Sequence, residues 1–363
     1  VNYHRSFRTR STAPGSLRHL VLGLTATALM VVGIAGAGVG TAAADTVVDT
    51  FPVGDGPREV AFAPNGTRAY VANAGDDTVS VIDTGTNTET TTVTVGDNPV
   101  GVAVTPDGAF AYVTNALDGT VSVIDTATNT VLGVPIPVGN NPQVVAITPD
   151  GAHAYVTNAL DDTVSVIDTD TNTEITTVTV GNLPVGVAVT PNGTHAYVAN
   201  HGGNTVSVID TNTNTVSSTI AGGDAPRKVA ITPNGFFAYV TNTNDNTVSV
   251  IDTAINTVVD TVTVGNEPIG VAVTPNGTRA YIAEFDSDEV SVIDTGTNTV
   301  VDTVTVGNEP FGVAIAPDGT RAYVTNRDDD TVSVIAIERC LGSLCIDFGS
   351  LTGSGSGAGS TFS

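Results

Sequence analysis

Positive charge is what this sequence most lacks. Of 363 residues, 12 are Lys or Arg against 37 Asp or Glu, a formal charge of −25, and Lys228 is the only lysine. The imbalance reflects scarce cations rather than abundant anions, because charged residues make up only 13% of the chain. A body of this sign repels nucleic-acid phosphates and anionic lipid headgroups, which excludes nucleic acid as a partner. Cysteine is scarce too. Cys340 and Cys345 stand alone near the C-terminus, and two thiolates would leave a tetrahedral metal site half filled. A local disulfide is the first expectation for an exported chain, contributing about 2 kcal/mol at most because its loop is so short. No Gly-x-Ser-x-Gly elbow, phosphate loop or twelve-residue calcium loop occurs. The sequence therefore predicts no cofactor, no metal and no catalytic residue.

Residues 1–44 read as an export signal. Arg5, Arg8, Arg10 and Arg18 supply a basic start, Leu20–Gly40 carries no charge, and Ala42-Ala43-Ala44 offers the small residues of a cleavage site. No adjacent Arg pair precedes the apolar run, which favours general secretion over the twin-arginine route. The competing reading is an uncleaved anchor, since this run could span a bilayer; membrane association is expected only in that case. Cleavage after Ala44 leaves 12 − 4 = 8 cations against 37 anions, and predicts an extracellular or cell-surface protein starting at Asp45.

What is present is repetition. Pro57, Pro99, Pro142, Pro184, Pro226, Pro268 and Pro310 open units of 42 or 43 residues. The first six units hold four short β-rich runs each, separated by Pro-Asn/Asp-Gly and Thr-x-Thr-Asn turns, and no 3.6-residue patterning competes with them. Four antiparallel strands per unit of this length define a propeller blade. The seventh unit stops after three strands, at Ala336-Ile337-Glu338, while residues 46–54 (TVVDTFPVG) match 257–265 (TVVDTVTVG). The prediction is an all-β, seven-bladed propeller over 45–338, monomeric, its ring closed by the N-terminal strand pairing onto Thr331–Ile335. Residues 339–363 form a tail with the cysteine pair and a Gly/Ser-rich linker. The extra residue of the second unit falls in 132–137, as a bulge.

AYVAN, AYVTN or AYIAE begins at Ala69, Ala111, Ala154, Ala196, Ala238, Ala280 and Ala322, and SVIDT follows in six units. With these motifs the chain resembles the YVTN-type β-propeller repeat family over about residues 45–335. The resemblance implies architecture and export, as in archaeal surface-layer and bacterial secreted propeller proteins. The fold is also shared with lactonases, quinoproteins and a haem-binding nitrite-reductase domain, so it does not imply one chemistry.

Positions that vary among the repeats are the candidates for a site. After the opening prolines stand Arg58-Glu59, Gln143 and Arg227-Lys228, three of the eight remaining cations at one channel mouth. The bland alternative pairs Arg58 with Glu59, and sets Arg227 and Lys228 against Asp224. The loops after the second strand add His201, Glu284, Phe285, Asp286 and Arg327. His201 with Glu284 or Asp286 is a conceivable acid/base set. His153 and His195 share a position with Arg68 and Phe110, expected to be solvent-facing. Nearly invariant spacing leaves no long loops to cover the mouth. The sequence reading is thus a binding or scaffold module, surface-layer or adhesin-like, for a protein or cell-wall component and for small anionic ligands. The alternative is a lactonase-like or lyase-like enzyme working at the mouth.

Overall fold

The computed structural model describes residues 44–341 and 344–346. The expected leader, Ala44 aside, and the Gly/Ser-rich end fall outside the described residues. Among the described residues no helix is long and apolar enough to cross a membrane.

Seven sheets form the propeller, and in the first six blades the strands follow sequence order from the axis outward. Blade 1 runs Pro57–Phe62, Arg68–Asn73, Thr78–Asp83, Thr88–Thr94 from the axis outward. The innermost strands of neighbouring blades contact one another around the complete ring. Blade 7 is assembled from both ends of the sequence. Thr46–Pro52 pairs antiparallel with Thr331–Ala336, from Thr46 opposite Ala336 to Pro52 opposite Thr331. The ring is closed by its N-terminal strand, and blade 7 gains a partner for what would be an exposed edge. In blade 2 the outer strand is split into Thr130–Val131 and Ile136–Pro137, with Gly133 in the left-handed region between them.

The recurrent motifs have physical causes. The Tyr of each AYVTN segment is fully buried between blades, and a buried hydroxyl needs a partner. That partner is the Asn of the next blade's Thr-x-Thr-Asn turn: Tyr155 donates to Asn214 at 2.7 Å and Tyr239 to Asn298 at 2.8 Å. The same Asn adopts φ near +52° at Asn87, Asn172, Asn214 and Asn256, a region Asn tolerates better than most residues. One residue therefore makes both the turn and the interblade tie. The Tyr70 hydroxyl of blade 1 and the Asn129 Oδ1 of the irregular blade 2 are left without partners. The Asn that ends the second strand in every blade but the sixth donates to the third strand, as Asn73 does to Ser80 at 2.9 Å and Thr78 at 3.1 Å. This explains the recurrent serines.

One expectation changes here. The position of His153 and His195 is half-buried rather than solvent-facing, because it reaches the neighbouring blade: Arg68 bonds the Thr126 carbonyl, and Arg321 that of Thr84. Cys340 and Cys345 face each other in backbone register across a hairpin, Arg339–Leu341 with Leu344–Ile346. The expected disulfide itself falls on side chains outside the described ones.

Candidate functional site

The loops at one end of the channel are tied together in a repeated way. The residue before each opening proline accepts, through its carbonyl, the amide of the residue that follows the second strand. Leu183 pairs so with His201 (2.9 Å), Glu267 with Phe285 (3.0 Å) and Glu309 with Arg327 (3.0 Å). All seven pre-proline residues have positive φ, from Gly56 at 61° to Glu309 at 52°. Gly and Asn hold that conformation easily in blades 1 to 3. Leu183, Ala225, Glu267 and Glu309 hold it at a cost.

This stitching gathers polar groups on one side of the mouth. The residue after the second strand is Ala74, Ala116 and Ala159 in blades 1 to 3, but His201, Phe285 and Arg327 in blades 4, 6 and 7. Phe311, itself buried, is the centre. The guanidinium carbon of Arg58 lies 4.7 Å from its ring centroid and that of Arg227 5.2 Å. Phe285 meets Phe311 edge-on at 6.5 Å, with Arg327 5.8 Å from the Phe285 centroid. Arg327 also pairs with Glu309 at 3.1 Å. Arg58, Arg227, Arg327 and Phe285 therefore come together, whereas Gln143 turns to its own loop and bonds Asn141 at 2.7 Å.

Lys228 and Glu59 form an ion pair at 2.6 Å with both side chains largely buried. They belong to blades 5 and 1, so the pair bridges the channel. This corrects the sequence reading on two points: Glu59 pairs with Lys228 rather than Arg58, and Lys228 is not left to offset Asp224. Gly101, Gly186, Gly270 and Gly312 occupy the position of Glu59 and Lys228 in other blades, where a Cβ would come within 2.5 Å of the next blade's carbonyl oxygen. Only the blades without that constraint can send a side chain across.

Charge is crowded here. Burial lowers the Arg58 guanidinium to about 10, with Arg327 and Arg227 adding repulsion. Burial likewise lowers Arg227, opposed by Glu267 and Glu59. The Arg58 Nε is buried with no partner. His201 is lowered by burial and then by Arg227, and its Nδ1 has no partner. Glu267 is raised, first by burial and then by the neighbouring charge of Asp286. Glu284 does not join this group. It is 1% exposed at the end of its strand, accepting from the Gly265 amide at 2.8 Å. It takes the structural place that Asn holds in the other blades, so the His201–Glu284 pairing is not formed.

Sequence reasoning looked after each proline and missed Glu267 and Glu309 before it. The signal was readable: the pre-proline residue runs Gly, Asn, Asn, Leu, Ala, Glu, Glu along the repeats. Among the described residues no cluster of three or more His, Cys, Asp or Glu is arranged to hold a metal ion.

Fold and mouth together define a seven-bladed β-propeller whose polar centre lies at one end of its channel. The profile of the family described as "Lactonase, 7-bladed beta-propeller" matches overlapping stretches at residues 37–186, 83–215, 133–259 and 217–347. The chain belongs to that family. Of solved structures, Kuenenia stuttgartiensis hydrazine synthase is similar, with 25% identity, a TM-score of 0.72, and coverage of 78% of this chain and 96% of that one. No curated protein matches.

Proposed function

We propose that this protein is a lactonase-like hydrolase that opens a small anionic cyclic ester at the channel mouth. The observation that carries the reading is the pair of guanidiniums, Arg58 and Arg227, held over the buried Phe311 ring with Glu267 raised beside them by burial and by Asp286, together with the family to which the chain belongs. A carboxyl raised by burial and by a neighbouring carboxylate keeps its proton where an isolated one would lose it. Asp286, exposed in its loop, takes a proton from an attacking water as the new C–O bond forms. Arg58 and Arg227 receive the negative charge that develops on the carbonyl oxygen, in a site dry enough to depress both guanidiniums. Glu267 then gives its proton to the ring oxygen as the ester C–O bond breaks. The products are a hydroxyl and a carboxylate, and no other reactant is consumed. The cationic cluster also supports a substrate carrying a carboxylate or phosphate.

A binding role without turnover remains the second reading, favoured by the near-uniform loops and by the Lys228–Glu59 ion pair that ties blades 1 and 5. Export to the cell surface belongs to the proposal under either reading. The test is titration of acid released from a panel of sugar and aliphatic lactones, with and without negatively charged substituents. The expected outcome is turnover that falls about 100-fold or more in Glu267→Asn and in the Arg58→Gln/Arg227→Gln double variant. Asn keeps the left-handed backbone, so Glu267→Asn should melt no lower than the parent. Binding of anionic lactones without acid release would select the second reading.

A further inference from the structure

Five interblade ties run from a Tyr hydroxyl to a turn Asn, and two of those Asn residues make a second bond. Asn298 accepts from Tyr239 and donates to Asp260 at 3.0 Å; Asn87 accepts from Tyr323 and donates to Asp49 at 2.8 Å. Asp260 and Asp49 each lie in the outer strand of the preceding blade. The sixth blade needs the same tie to the seventh, where the repeat has broken off. Asp45 stands there instead. Tyr281 donates to its carboxylate at 2.5 Å, Arg279 at 2.9 Å and the Glu338 amide at 2.8 Å. An aspartate has no side-chain N–H to offer the outer strand. The donor is its own main-chain nitrogen, 2.7 Å from Asp302 Oδ2, and Asp302 holds in blade 6 the position of Asp260 in blade 5. Asp45 is 4% exposed, while Ala44 before it is exposed.

We propose that the Ala44–Asp45 bond is a processing site, and that its hydrolysis finishes the ring. Water adds across the amide, Ala44 departs with the new carboxylate, and Asp45 keeps an ammonium that pairs with Asp302. A hydrogen bond charged only on its acceptor side becomes an ion pair charged on both sides. The carboxylate of the same residue is neutralised by Arg279 at 2.9 Å, so one residue makes opposite-sign contacts to two blade-6 strands. Burial of Asp45 also denies aminopeptidases a further cut, which fixes the terminus at this residue.

Intact mass of the chain exported with its own leader should show a species beginning at Asp45. That species has two amines, the α-amine and Lys228, since Lys228 is the only lysine. An amine-reactive label should reach Asp45 roughly tenfold or more slowly in native than in denatured protein. Asp302→Asn should speed the labelling and lower Tm by about 2–4 °C in the processed chain, with a smaller fall in the unprocessed full-length chain. A terminus elsewhere than Asp45, unprotected labelling, or equal Tm losses in the two forms would overturn the proposal.

Discussion

Glu284 sits where other blades place Asn, and it faces Glu289 directly across the strand pair where they place Thr. Its carboxyl is raised first by burial, with Glu289 adding repulsion. The folded protein therefore holds this proton more firmly than the unfolded chain does. The stabilisation is complete below the ordinary carboxylate value of 4.5 and is lost as pH rises through the raised one. Glu284→Asn should remove that slope and restore the donor to the third strand, raising Tm at neutral pH by about 2–4 °C for each kcal/mol gained. Thermal melts between pH 4 and 7 decide it, and an unchanged slope counts against the assignment. The repeat alignment shows that Glu284 departs from Asn, but a departure alone does not separate a ligand contact from a structural replacement. Burial makes the distinction, and burial depends on which way the strand end turns.

At the scale of the element, the strand Thr46–Pro52 carries the closure. Removing residues 46–52 should expose the edge at Thr331–Ala336 and strip Tyr323 of the Phe51 ring that lies 5.7 Å from it. The expected result is a lower melting temperature together with new oligomers in size-exclusion chromatography, since a bare edge recruits other strands. A monomer of unchanged Tm would show that blade 7 is complete without it. This strand was legible because TVVDT recurs inside the array and the last unit lacks its fourth strand. The pre-proline turns were less so. Leu183 and Glu267 look unremarkable until the backbone shows them in a region that suits Gly and Asn.

Across the whole molecule, the Lys228–Glu59 pair joins blades 1 and 5 through the axis. Lys228→Met should leave Glu59 buried without its partner, and one Glu59 oxygen already has none. The expected loss is about 3–5 kcal/mol, read by denaturant unfolding, and Lys228→Met/Glu59→Leu should recover most of it. A single variant as stable as the parent would mean that the pair is solvated. The ring of seven blades follows from the 42-residue period, because every unit carries the same turns and the same buried Tyr. The mouth does not follow from that period. Its geometry arises where Arg227 and Lys228 reach past neighbouring blades, and side-chain reach across a closed ring has no counterpart in sequence spacing.

The split of blade 7 between the two ends of the chain bears on how such a gene can change. Recombination between any two opening prolines exchanges a length that starts at one innermost strand and stops before the next, so both halves of the closing blade stay in place. Whole units could be gained, lost or shuffled without ever touching the seam. Blade number would then be limited by the angle at which neighbouring inner strands pack, and Arg227, Glu267 and Asp286 of blades 5 and 6 could be moved together as a single heritable block.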